Sequence, residues 1–272
     1  ETLVEGGYAY ETDDGLYFSV EAFADYGKLS GNTLDKLDAG ARVDVKENKK
    51  HPADFALWKK CVGGNESHVL RWPSPWGEGF PGWHIECSAM SQEILGQQID
   101  IHTGGEDNIF PHHECEIAQS ECSGPAPFVR YWIHKRRIDM GSEKMSKSLG
   151  NVLSLSDIQE MGYSPLDLRY YFLSVHYRTQ LKFAEKGLED AKKARKKIME
   201  WIEEVQTWSG DGSEDVEDSW RGKFSDAMNS DLNTPEALAT VFDLMAWSRT
   251  NREKLSKNGI DQLQNQTKYI RE

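Results

Sequence analysis

The chain has 272 residues, about two domains' worth, and its 32 Lys and Arg against 45 Asp and Glu leave a formal net charge of -13. That balance speaks against a general polyanion binder, because phosphate affinity comes mostly from basic side chains. No apolar run approaches the roughly 20 residues that span a bilayer, and the scattered Cys61, Cys87, Cys115 and Cys122 do not make a disulfide framework, so a cytoplasmic protein without a membrane partner is expected.

Residues 1 to about 80 hold short strand-like runs, Leu16 to Val20 and Ala41 to Val45, between Gly- and Asp-rich turns. The segment from Trp72 to Pro81 is broken by prolines, which lack an amide donor and restrict the preceding residue. From Trp83 to Leu95 the apolar residues recur at helical spacing, and Gln98 to His102 alternates as a strand running into a loop at Thr103-Gly104-Gly105. Pro111 suits the first turn of a helix that continues through Glu121, and Phe128 to His134 reads as a second strand. This order predicts an α/β layer with a parallel sheet.

Beyond residue 150 the pattern becomes helical. Ser164 and Pro165 cap and start a helix through about Val175. Leu188, Ala191, Ile198, Trp201, Ile202, Val205 and Trp208 mark one face of a long helix, and Ser209 to Asp218 reads as an acidic linker. Thr234-Pro235 opens a second long helix, soon after which the chain stops.

Three groups of residues could carry chemistry. His112 and Glu116 lie four apart, so a helix projects both from one face, and Cys87 on the preceding helix could join them. Nitrogen, oxygen and sulfur ligands of this kind suit zinc with one position open; the alternative is a surface His/Glu pair beside a core thiol. Thr103-Gly104-Gly105-Glu106-Asp107 joins strand to helix, where glycines allow positive φ and close approach of a ligand, or simply a turn. Asp107 could hold an ammonium group or bond its own backbone. Lys144 and Lys147 bracket two serines in Lys144-Met-Ser-Lys-Ser148, a donor set able to surround a polyphosphate, or an exposed basic turn.

KMSKS resembles the second signature of class I aminoacyl-tRNA synthetases. GWHIECSAMS (82–91), GGEDNIFPHHECEIAQSEC (104–122), NSDLNTPEALA (229–239), GKLSG and AGARVDV resemble cysteinyl-tRNA synthetase in particular. The resemblance implies the second half of a class I Rossmann-like catalytic domain (76–140), preceded by part of a small α/β insertion (1–75). A KMSKS loop and stem-contact region (141–182) and a truncated helical tRNA-binding bundle (183–272) would follow. It also implies an internal fragment, because the family's His-Ile-Gly-His signature and first zinc cysteine are expected upstream of Glu1.

The same resemblance implies ATP-dependent activation of L-cysteine, with magnesium, and transfer to tRNA(Cys) by a monomer. Zinc would bind the substrate thiolate through Cys87, His112 and Glu116. Trp83 would line the cysteine pocket and Asp107 would meet the amino group. Gly104, Gly105 and Lys147 would approach ATP, and Lys144 with Lys147 would neutralise the leaving pyrophosphate. Cys115 stands where the family usually has Asn, either as an extra ligand or as a substitution, and His134 to Arg137 replaces a segment that usually contains Gly near the adenine. The same residues also leave open a cysteine–amino-sugar ligase of mycothiol synthesis, or a non-catalytic zinc- or tRNA-binding paralogue. Lys135 to Arg137, Lys144, Lys147 and the Lys192 to Lys197 run concentrate positive charge locally despite the acidic total.

Overall fold

The computed structural model describes residues 1–40, 49–141, 153–216 and 219–271. The expected strand at Ala41 to Val45 and the lysine loop with Lys144 and Lys147 therefore lie outside the described residues. The chain divides into two compact units, Glu1–Lys135 and Arg136–Glu272.

The first unit mixes helices and sheets. A short helix, α1 (Thr2–Glu5), precedes strands β1 (Ala9–Glu11) and β2 (Gly15–Phe18); after α2 (Leu34–Gly40) come β3 (Phe55–Lys60) and β4 (Gly79–Pro81). These strands form one antiparallel sheet in the order β1-β2-β3-β4. Phe55 and Leu57 alternate inward along β3 as the period of two requires. With Leu16, Phe18, Val20 and Tyr26 they form a core that also takes in Cys115 and Ala118 from a later helix. Fully burying a side chain such as Phe18 stabilises by roughly 1.5–3 kcal/mol.

Helix α3 (Trp83–Leu95) follows, then β5 (Ile99–Gly105), α4 (Glu114–Ser123) and β6 (Val129–Lys135). Strands β5 and β6 pair in parallel, with Ile101 opposite Tyr131 and Gly104 opposite His134. A parallel pair needs a crossover, and α4 lies in it. The strand runs on through Thr103-Gly104-Gly105, which the sequence pattern placed in a loop, because both glycines join the β6 ladder. Between β5 and α4 the chain makes an irregular turn at Ile109–His113, with Phe110 in an extended conformation (φ -138°, ψ 133°).

The second unit is helical: α5 (Leu155–Glu160), α6 (Pro165–Leu173), α7 (Glu185–Gln206), α8 (Ser219–Asn229), α9 (Thr234–Asn251) and α10 (Lys257–Arg271). Ser154 with Asp157, and Ser164 with Asp167, form reciprocal capping boxes that satisfy otherwise orphaned amides at the starts of α5 and α6. Arg195 of α7 donates to Asp167 at 2.8 Å, tying α7 to the start of α6. The face read from the sequence is the buried one: Ile198, Trp201, Ile202 and Val205 pack with Val241, Leu244 and Leu263.

The structure corrects three sequence expectations here. Helix α6 ends at Leu173 rather than near Val175. Helix α10 follows the second long helix; Ile260, Leu263 and Ile270 recur on one face among Gln and Asn and join the core. Within the expected linker Ser209 to Asp218, residues 209–216 are docked, because Gly212 and Glu214 bond the backbone at Lys254 to Ser256 and Val216 is buried; residues 217 and 218 lie outside the described residues.

Candidate metal centre

Helices α3 and α4 lie side by side, held in part by the Ser88 hydroxyl against the Gln119 amide at 2.5 Å. Cys87 of α3, His112 of the turn before α4 and Glu116 of α4 come together, with one ligand atom from each within 4.8 Å of the others. Glu116 is fully buried and His112 nearly so, while Cys87 is partly exposed. The three residues expected as ligands, His112 and Glu116 by their spacing and Cys87 from the preceding helix, thus lie within reach of one another.

Glu116 is the informative member. Its Oε2 pairs with His102 Nε2 at 2.9 Å, whereas its buried Oε1 has no hydrogen bond. His112 Nε2 stands 3.0 Å from that oxygen without hydrogen-bond geometry, while His112 Nδ1 pairs with His84 Nδ1 at 2.8 Å. One of those two Nδ1 atoms must carry the proton. With it on His112, the Nε2 lone pair faces a carboxylate oxygen, a repulsive arrangement that a shared cation would reverse. The donor set, a thiol, an imidazole and a carboxylate, is the borderline-soft one that suits zinc, so the residues present fit such an ion.

The electrostatics agree. Burial, then the Glu116 and Glu86 charges, push the Cys87 thiol up, so without a cation it stays protonated. Burial holds His112 below the ordinary imidazole range despite Glu116, and burial followed by His112 lowers His84 to about 4. The hydrogen bond to Glu116 instead raises His102. His113, lowered to about 3 by burial and then by His102 and His134, pairs through Nδ1 with His134 Nε2 at 2.8 Å. Neutral imidazoles are what a metal site requires, and carboxylate partners such as Glu116 beside His102 orient rings of this kind.

Spacing did not reveal His84, His102, His113 and His134. A second group close enough to hold a cation, His102, His113 and Glu116, shares the Glu116 carboxylate. The available signal was density, since five of the eight histidines (84, 102, 112, 113, 134) fall within 51 residues.

The other expected residues fall as follows. Trp83, one turn before Cys87, is exposed and its ring lies 4.2 Å from that of His112. Neither Gly104 nor Gly105 has positive φ, which corrects the reason expected for them. A Cβ on Gly104 would lie 2.5 Å from His113 Cε1, so glycine there makes room for the ring, whereas one on Gly105 would meet open space. Asp107 is exposed in the turn Glu106–Asn108 that follows β5. Cys115 belongs to neither ligand group; its Sγ lies 3.6 Å from the Tyr26 hydroxyl.

Residues 1–193 match the family described as tRNA synthetases class I (C) catalytic domain. The chain belongs to this family. A second model, the DALR domain, matches residues 223–272 of this class I chain. Relatives named cysteine--tRNA ligase include those of Chlorobium chlorochromatii, 46% identical over 96% of this chain and 53% of its own length, and of Carboxydothermus hydrogenoformans, 46% identical over 91% and 54%. A third, from Thermus thermophilus, is 47% identical over 89% and 51%. The chain thus spans about half the length of the curated relatives it matches. Among solved structures, a LeuRS in ternary complex with tRNA and LeuAMS from Agrobacterium radiobacter K84 superposes with a TM-score of 0.51 at 14% identity, over 70% of this chain and 30% of that one. At that identity the likeness concerns the fold, which is that of a class I synthetase.

Proposed function

We propose that the chain forms part of a cysteine–tRNA ligase, in which Cys87, His112 and Glu116 hold a zinc ion that receives the substrate's thiolate. The observation that carries this reading is the buried Glu116 Oε1, which has no hydrogen bond among the described residues and stands 3.0 Å from His112 Nε2, in a group where Cys87, His112 and Glu116 each offer an atom within 4.8 Å of the others. A bound zinc ion would supply a soft Lewis acid that lowers a thiol's pKa, whereas the hydroxyl of serine would scarcely ionise. Discrimination by metal–sulfur bonding can exceed the roughly 1–3 kcal/mol available from a methylene in an apolar pocket.

Around that site the chain's own residues have distinct tasks. His102 donates to Glu116 and fixes one carboxylate oxygen, leaving the other to face the ligand group. His84 engages His112 Nδ1 and so directs Nε2 inward. Trp83 lies over His112 at the exposed side, where it would cover a small bound amino acid, and Asp107 would take the ammonium group. Gly104 and Gly105 at the end of β5 would let ATP, with magnesium, approach the backbone. Lys144 and Lys147 would neutralise the triphosphate as the cysteine carboxylate attacks the α-phosphorus and pyrophosphate leaves.

The domain assignment forms part of the same proposal: an insertion over 1–75, half of a catalytic domain over 76–140, a loop and stem-contact region over 141–182, and a tRNA-binding bundle over 183–272. So do tRNA(Cys) as the acceptor, action as a monomer, and the cytoplasm as the place where translation consumes the product. Among the described residues no helix is long and apolar enough to cross a membrane.

The test is amino-acid-dependent ATP–pyrophosphate exchange by a polypeptide of the relatives' length that carries these residues. Exchange with cysteine and not with serine, abolished by Cys87→Ala, is expected. Exchange with another amino acid and none with cysteine would overturn the reading. Attachment of cysteine to an amino sugar, with none to tRNA, would favour the mycothiol-type ligase instead.

A further inference from the structure

Helix α4 has two working faces. His112, just before it, and Glu116 look toward α3, whereas Glu114, Cys115, Ala118 and Glu121 look toward the first sheet and the turn at Tyr26 to Gly31. Glu114 is a fully buried carboxylate at the first position of α4. Its Oε2 accepts from the Ser30 amide at 2.9 Å and its Oε1 from the Leu29 amide at 3.4 Å. Two turns along the helix, Glu121 pairs with Lys28 and also accepts from the Phe128 amide at 3.1 Å, just before β6. The Tyr26 hydroxyl and Cys115 Sγ meet between these two contacts.

The turn is built to offer those amides. Gly27 (φ +96°) and Gly31 (φ +73°) occupy the left-handed region, and a Cβ on Gly27 would lie 2.5 Å from the Asn32 carbonyl oxygen. Glycine at both ends is therefore required by backbone geometry, while the three residues between them supply two amides and a lysine to α4.

The start of α4 needs an external restraint. His113, just before its first residue, is itself helical (φ -68°, ψ -31°) and makes no side-chain cap hydrogen bond, and the segment behind it is kinked at the extended Phe110. The kink lies two residues before His112, so the segment that carries His112 and leads into the turn with Glu116 has no straight helix behind it to fix its rotation. Glu114 lies between the two ligands in sequence and, two residues from Glu116, about 200° around the helix from it at 100° per residue. An anchor on that rear face sets the rotation of the front.

We propose that Glu114 is a positioning residue for the metal site: with Glu121 it clamps the Lys28–Ser30 turn onto the rear of α4 and thereby fixes where His112 and Glu116 stand. This rests on the metal reading above. The removal of an outer hydrogen-bond partner of a metal ligand typically costs 10–100-fold in metal affinity, and the clamp acts on two ligands through the helix backbone.

The experiment is titration of Co2+ into the full-length polypeptide, following both affinity and the thiolate-to-cobalt and d–d absorption bands, for the parent, Glu114→Gln and Lys28→Ala. Glu114→Gln is expected to weaken Co2+ binding about tenfold and to shift the d–d bands, with Lys28→Ala acting in the same direction but less. A folded Glu114→Gln protein that binds Co2+ as the parent does, with an unchanged spectrum, would overturn the proposal even if its melting temperature falls. Should Glu114→Gln fail to fold, the exposed Lys28→Ala change decides: an unshifted spectrum and affinity refute the clamp. A parent without a thiolate-to-cobalt band would refute the metal reading itself, a failure distinct from that of the clamp.

Discussion

Helices α4 and α7 bury their residues for different ends. Seven of the ten residues of α4 are buried, and four of these, Glu114, Glu116, Gln119 and Ser120, are polar. On α7 the six buried residues are Leu188, Ala191, Ile198, Trp201, Ile202 and Val205, all apolar, while lysines and glutamates face solvent. Desolvating a carboxylate costs several kcal/mol unless partners compensate, so α4 gives up stability that α7 keeps. Buried polar groups kept at a cost to folding are what the proposed metal site asks of α4.

That contrast breaks most readily at Trp201. Its side chain is fully buried, and its Nε1 donates to Ser248 at 3.0 Å. Trp201→Ala should destabilise the helical unit by about 3–5 kcal/mol in urea unfolding while leaving Co2+ binding unchanged. A loss below about 1 kcal/mol would mean that α7 does not depend on its apolar face.

Glu116→Gln sharpens the other half. Metal affinity should fall by about 10–100-fold or more. The metal-free protein, relieved of a buried charge, should melt no lower than the parent. A metal-free variant that melts well below the parent would show Glu116 to be a structural residue.

Next in size, Gly104→Ala places a methyl group against the His113 ring. Overpacking of this kind costs about 1–3 kcal/mol, and here it should also perturb the histidine NMR signals. Gly105→Ala, facing open space, should do neither.

The smallest effect is expected in the second unit, at the turn where Asp231 (φ +57°) and Leu232 (φ +55°) both occupy the left-handed region. Arg178, then Tyr177, hold the Asp231 carboxyl down to about 2. A depressed acid pKa contributes stability that is present above the ordinary carboxylate value and is lost as pH falls through about 2. Asp231→Asn should therefore melt slightly below the parent at neutral pH, and the gap should close as pH approaches 2. A gap that persists undiminished in acid would assign the effect to the strained turn rather than to the charge.

Much of this was legible before any coordinates. The four-residue spacing of His112 and Glu116, the apolar face of α7 and the Ser164-Pro165 start of α6 are local patterns, and local patterns follow from helix geometry and capping. What escaped notice depends on residues distant in sequence. His102 reaches Glu116 from the parallel strand β5, and His134 reaches His113 from β6. The Gln- and Asn-rich α10 buries Ile260 and Leu263 in the core of α7 and α9.

By itself, then, the sequence determined the order of the elements, the cap residues, the candidate ligands and a resemblance to one synthetase family, since each of these is written in neighbours a few positions apart. The tertiary structure alone decided that His84 and His102 stand beside those ligands, that one oxygen of Glu116 lacks a hydrogen bond among the described residues, that Gly104 accommodates the His113 ring, and that Glu114 holds the Leu29 and Ser30 amides. Those contacts join segments separated by nine to 85 residues, and only packing, which excludes water and leaves each buried polar atom to find a partner or lack one, selects among them.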